Sequence, residues 1–126
     1  MKFTLGSEKR LKSRKKIDRL FESGKRLQKF PLKAVYVVEP MESPGFQIAV
    51  SVPKKLFKRA VDRNLLKRRM REAFRIHQHQ LELKQKLEIM FIYSTREIQD
   101  FARIEKAMLV LIDSLNSISN DSNSEK

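Results

Sequence analysis

Lys54 to Arg75 reads KKLFKRAVDRNLLKRRMREAFR, and this stretch decides how the rest of the chain is organised. Its 22 residues hold ten bases against two acids, Asp62 and Glu72. Such a run repels itself unless an anion faces it, yet its apolar residues keep a helical period. At about 100° per residue, Leu65, Leu66, Arg69, Met70, Ala73, Phe74 and Ile76 share one broad side. Asn64, Lys67, Arg68, Arg71 and Arg75 gather on the other. The pattern predicts an amphipathic helix from about Ala60 to Gln80 that packs on a core and presents a cationic ridge. Charged helix faces usually mix their signs. This ridge has one sign, offset only by Glu72, four residues after Arg68. A polyanion fits it, and nucleic acid is the commonest polyanion. Arg69 lies on the apolar side and is expected to snorkel or to pair with an acid at the core edge.

Working outward, Phe46 to Val52 (FQIAVSV) alternates and reads as a strand closed by Pro53. Leu32 to Val38 (LKAVYVV) is β-branched and aromatic and reads as another. The turn segment Glu39 to Gly45 between them implies an antiparallel pair. Upstream, Ser13 is placed to cap a short helix carrying Ile17, Leu20 and Phe21, with Gly24 as its C′ residue. Downstream, Leu87 to Tyr93 (LEIMFIY) is nearly all apolar and reads as a central strand. A last helix carries Phe101, Ile104, Met108, Leu111, Ile112 and Leu115 on one face. Either Asp100 or a Ser94–Glu97 capping box starts it. The order α-β-β-α-β-α predicts an α+β fold, a small sheet of three or four strands packed with helices. Residues 1–116 form one domain, and the Ser/Asn-rich residues 117–126 are expected to be a disordered tail.

Composition narrows the function. The formal net charge is +13 over 126 residues, and the bases concentrate in the first 75. That favours nucleic acid or an anionic surface. No stretch has the length of a membrane span, and no signal peptide is evident, so a cytoplasmic protein is expected. There is no cysteine, hence no thiol nucleophile and no thiolate metal site. His77 and His79 are two residues apart, point to different helix sides, and read as a surface pair rather than metal ligands. No carboxylate pair, activated serine or Gly-rich phosphate loop stands out. Phe21 reads equally as core or as an exposed stacking platform.

The string Lys54-Lys55, Ala60, Arg63-Asn64, Lys67-Arg68, Arg71-Glu72-Ala73-Phe74-Arg75 resembles the signature of the bacterial ribonuclease P protein subunit. Leu11-Lys12-Ser13 with Ile17, Phe21 and Gly24 is similar to that family's start, and the likeness covers about residues 5–115. The resemblance implies a left-handed β-α-β crossover within the α+β fold. It implies that the protein binds a catalytic RNA, whose holoenzyme removes the 5′ leader from precursor tRNA. It further implies that the RNA, with magnesium, carries the chemistry, and that the protein alone holds no cofactor tightly; no protein partner and no membrane association is evident. Carried over by position, Arg63, Asn64, Lys67, Arg68 and Arg71 contact the catalytic RNA. Lys54, Lys55, Lys58, Arg59 and Arg75 extend the same surface. Ile17, Phe21 and Tyr36 fall near the leader cleft. The family's usual Arg-Asn-Arg reads Arg63-Asn64-Leu65 here, which implies one phosphate contact fewer, and Ile17 stands where an aromatic is common. The competing readings are a ribosomal or assembly RNA-binding protein without enzymatic context, and a DNA-binding repressor. A helix-turn-helix would need a helix before the basic one, where a strand is expected.

Overall fold

The computed structural model describes residues 11, 14–39 and 43–120. Its elements run α1 (Arg14–Ser23), β1 (Lys25–Lys29), β2 (Leu32–Glu39), β3 (Gly45–Ser51), α2 (Ala60–His77), β4 (Lys86–Tyr93) and α3 (Phe101–Asn120). The strands form one sheet in the order β1-β2-β4-β3. Helices α2 and α3 cover one face, and α1 lies on the other.

Alternation along the strands sorts the side chains between two cores. Leu32, Ala34 and Tyr36 of β2, Ile48 of β3, and Leu87, Ile89, Phe91 and Tyr93 of β4 join the apolar sides of α2 and α3 in the main core. Phe74 of α2 stands edge-on to Phe46, with centroids 5.2 Å apart, and 5.5 Å from Phe91. Val35, Met90, Val37, Ala49 and Ile92 face the other way and pack with Leu11, Leu20 and Ile17 in a smaller cluster. Strand β4 is therefore covered on both faces, and apart from Glu88 its sequence does not alternate.

One expectation about the sheet needs correction. β2 and β3 do run in opposite directions, but they do not pair. β4 lies between them, antiparallel to β2 and parallel to β3. A parallel pair cannot be closed by a tight turn, so α2 makes the crossover from β3 to β4. The fourth strand allowed for has no clear sequence signal, because KRLQK of β1 holds a single apolar residue and is mostly exposed. It pairs antiparallel with β2 through the turn at Phe30 and Pro31.

The ends of the helices follow identifiable contacts. Ser13, the expected cap of α1, lies outside the described residues, as do residues 40–42 of the turn before β3. Gly24 follows α1 as expected, but not through left-handed backbone, since among the described glycines only Gly45 has positive φ. A Cβ at Gly24 would stand 2.4 Å from the Leu20 carbonyl oxygen and 2.6 Å from Val35 Cγ1, so close approach to β2 demands glycine. Asp100 caps α3, its Oδ1 accepting from Arg103 N at 2.9 Å. α3 then continues through residues 117–120, where a disordered tail was expected. Ser119 is buried, and its hydroxyl accepts from the backbone N–H groups of Lys84 and Gln85 at 3.1 and 3.2 Å. Ser119 and its neighbour Asn116 are polar because they bind the loop before β4. Residues 121–126 lie outside the described residues.

Candidate nucleic-acid interface

The loop from Val52 to Arg59 and the first turns of α2 form one surface. Leu56 N and Phe57 N donate to the Pro53 carbonyl at 3.1 and 3.3 Å, closing a tight turn. Phe57 is buried against Tyr93, and Leu56 packs on the main core. With that apolar pair turned inward, Lys54, Lys55, Lys58 and Arg59 are left exposed. Arg63 reaches back, its Nη1 donating to the carbonyls of Phe57 and Lys58 at 2.9 Å each. Arg63 thus holds the loop to the helix. Arg96 staples the loop from the far side through Lys55 O at 3.2 Å. No sequence signal marked Arg96 as part of this surface.

Leu66, Met70, Ala73 and Phe74 are the buried side of α2. Asn64, Arg68 and Arg71 are exposed, and Lys67 and Arg75 are half-buried, along the opposite side. Lys54, Lys55, Lys58, Lys67, Arg68 and Arg71 make no ion pair among the described residues. Arg59 lies 3.9 Å from Asp62. Glu72 does not offset Arg68 as expected. It takes Arg75 in a two-pronged pair, Nε to Oε1 at 3.0 Å and Nη2 to Oε2 at 2.6 Å. The hydrogen bond from Arg75 holds the Glu72 carboxyl below its ordinary range. Arg59 occupies the N-cap of α2 without a side-chain cap hydrogen bond. The positive end of the helix dipole therefore adds to the field of the loop cations. Leu65, at the third signature position, is half-buried beside Leu66.

Of the two expectations for Arg69, pairing with an acid is not met. Its Nη1 donates to the Gln99 carbonyl at 2.6 Å, a backbone partner rather than an acid. Tyr93 fixes the same loop, its hydroxyl donating to Glu97 O at 2.6 Å and accepting from Gln99 N at 2.8 Å. His77 is partly buried and ties α2 to α3 through Glu105, Nε2 to Oε2 at 2.7 Å. His79 is exposed.

On the opposite face, α1 is held by a buried acid. Glu88 of β4 has 0% exposure, and its carboxylate meets Lys16 Nζ at 3.0 Å and Arg19 Nη2 at 2.8 Å. Arg19 also pairs with Glu39. Before the helix, Leu11 N donates to Ile48 O at 2.6 Å. At the helical pitch, Lys16 and Arg19 lie on one flank of the buried Leu20, and Ile17 and Phe21 on the other. The first flank goes to Glu88. The second overlooks the cross-strand row Gln28, Lys33, Ile92 and Ser51, which is set by the strand register. Gln28 and Lys33 of that row are exposed, Ile92 and Ser51 half-exposed. Phe21 is 48% exposed, so the core reading of it falls away. Tyr36 does not join this group. It is 7% exposed within the main core on the α2–α3 face, and burial raises its phenol above the ordinary range. Its neighbour Val35 is the residue that faces α1.

The family model described as Ribonuclease P matches residues 5–116. The Ribonuclease P protein component of Porphyromonas gingivalis is 37% identical over 112 residues, covering 84% of this chain and 82% of that protein. The protein of the same name from Picosynechococcus is 32% identical over 95 residues, covering 75% and 80%. Among solved structures, the RNase P protein of Staphylococcus aureus superposes with a TM-score of 0.71 at 23% identity, over 89% of this chain and 98% of that one. The RNase P protein of Thermotoga maritima gives 0.69 at 25% identity, over 83% and 96%.

The clamp on α1 is asymmetric. Replacing both Lys16 and Arg19 by methionine strands a buried carboxylate, with an expected loss of about 3–5 kcal/mol. Adding Glu88→Gln to that variant removes the stranded charge and should recover most of the loss. Urea unfolding gives the energies, and amide exchange along α1 shows whether the helix has left the sheet. No recovery on adding Glu88→Gln would mean that the carboxylate is not what holds α1.

Proposed function

Because the chain belongs to the ribonuclease P protein component family, we propose that it binds the catalytic RNA of that ribonucleoprotein endonuclease and the 5′ leader of precursor tRNA, promoting 5′ maturation of tRNA. The observation that carries this reading is the one-signed surface of α2 and its leading loop, which among the described residues lacks acid partners along most of its length. Lys54, Lys55, Lys58, Arg59, Arg63, Asn64, Lys67, Arg68 and Arg71 meet phosphates of the catalytic RNA, with Arg75 a weaker member because Glu72 already engages it. Phosphate contacts of this kind position one RNA on another and screen their repulsion.

The leader lies along α1. A single strand needs an exposed aromatic or apolar platform beside cations. Phe21 and Ile17 supply the platform, and the row Gln28–Lys33–Ile92–Ser51 the floor. Tyr36 has no part in it.

The chemistry belongs to the RNA. Phosphodiester hydrolysis uses an activated water and stabilised phosphate oxygens, commonly through metal ions held by carboxylates. Among the described residues no three His, Asp or Glu side chains come together as a donor set. Glu88 and Glu39 are occupied by Lys16 and Arg19. In this reading magnesium belongs to the RNA, as in the family, and the protein raises substrate affinity without touching the scissile bond. A cytoplasmic location accompanies this role; among the described residues no helix is long and apolar enough to cross a membrane.

Arg68→Ala and Arg71→Ala should each weaken binding to the catalytic RNA by about 1 kcal/mol or more. Each should also flatten the salt dependence by about one unit. Unchanged affinity and slope in filter binding for both variants would remove α2 from the interface. Phe21→Ala should weaken precursor tRNA binding to the holoenzyme by about 1–3 kcal/mol more than mature tRNA binding. Equal losses on the two substrates would contradict the leader track. Protein refolded from denaturant and freed of RNA by nuclease should not release the leader, while protein plus catalytic RNA should. Site-specific cleavage by the protein alone, lost on mutating one of its side chains, would make it a protein nuclease.

A further inference from the structure

Two aromatic side chains stand out among the exposed large hydrophobics, Phe21 at 48% and Phe30 at 51%. Phe21 belongs to the track along α1. Phe30 sits in the β1–β2 turn and borders a cavity of about 350 Å³ lined by Lys29, Arg103, Lys106 and Ala107. α3 passes beside β1 here, and its spacing of three and four residues sets Arg103, Lys106 and Ala107 on one stripe. Ala107 is buried and forms an apolar floor. The three cations are exposed, and none makes an ion pair among the described residues. The nearest acids in sequence are engaged elsewhere, Glu105 by His77 and Asp100 as the cap of α3 through Arg103 N.

We propose that this cavity is a third RNA-binding site, which takes one unpaired nucleotide with its base on Phe30 and its flanking phosphates on Lys29, Arg103 and Lys106. An exposed ring is poorly solvated, and three unpaired cations around it repel one another. A nucleotide relieves both conditions at once, because every base offers a π face and every linkage a negative charge. The volume falls within the range of small-ligand pockets, suited to one nucleotide rather than a duplex. The site is separate from the α2 surface and from the α1 track, so it does not depend on either assignment.

Full-length protein labelled with ¹³C and ¹⁵N is titrated with single-stranded hexauridylate, and in parallel with an abasic hexamer of the same backbone. The proposal expects saturable shifts of the Phe30 ring and the Ala107 methyl with hexauridylate, at least about tenfold weaker with the abasic strand. Phe30→Leu, which keeps apolar bulk, should abolish the Ala107 shift, and Phe30→Tyr should keep it. Arg103→Gln with Lys106→Gln should weaken this site about tenfold or more while shifts around Phe21 persist. The proposal is overturned if Phe30 and Ala107 stay unshifted while other regions respond. Equal binding of the abasic strand also overturns it, leaving a simple anion patch, as does an Ala107 shift that survives Phe30→Leu.

Discussion

The structure depends on the placement of β4 between β2 and β3. A strand paired on both edges and packed on both faces favours apolar residues, and LEIMFIY satisfies that with one exception, the buried Glu88. Because β4 is parallel to β3, the chain must cross the sheet between them, and α2 is that crossing. The crossing buries Leu66, Met70, Ala73 and Phe74 on the sheet and on α3. The remaining side of the helix then has nowhere to go but solvent. Its cationic ridge is a consequence of topology as much as of composition.

Glu88 does for the other face what the apolar strip of α2 does for the first. A buried carboxylate is costly unless paired, and its partners Lys16 and Arg19 both come from α1. The pairing fixes which flank of α1 meets the sheet, and thereby turns Ile17 and Phe21 toward the uncovered row at the β1–β2 end. An apolar contact alone would let the helix rotate. The acid selects one orientation. Two surfaces of different chemistry result on one small domain, a phosphate-binding ridge and an aromatic-lined track, as the proposed role with a catalytic RNA and a single-stranded leader requires.

The sequence made α2 legible because its 3.6-residue period survives the charge. It also revealed β4 as central, because β4 lacks alternation. Tyr36 was misplaced for the same reason that β4 was found. β2 is covered on both faces, so AVYVV hides which side each residue takes, and only the register shows that Val35 faces α1. Strand β1 escaped because four of the five residues in KRLQK are polar, and the β2–β3 pairing failed because chain adjacency does not fix sheet adjacency across a crossover. Glu88 looked like one acid among many. Its importance comes from burial, which no local pattern encodes. Residues 117–120 looked like a tail because Ser119 is polar, yet that hydroxyl serves the loop before β4.

The central claim is that the ridge faces the catalytic RNA and α1 faces the leader. The chain has no cysteine, so a single introduced thiol is a unique tether for iron–EDTA. Val61→Cys, exposed on the ridge side, and Glu22→Cys, beside Phe21, leave the proposed contacts intact. In holoenzyme bound to precursor tRNA, hydroxyl radicals from position 61 should cut the catalytic RNA at a few discrete segments and spare the leader. Radicals from position 22 should cut the leader. Leader cleavage from position 61, or diffuse cleavage from both positions, would contradict the account.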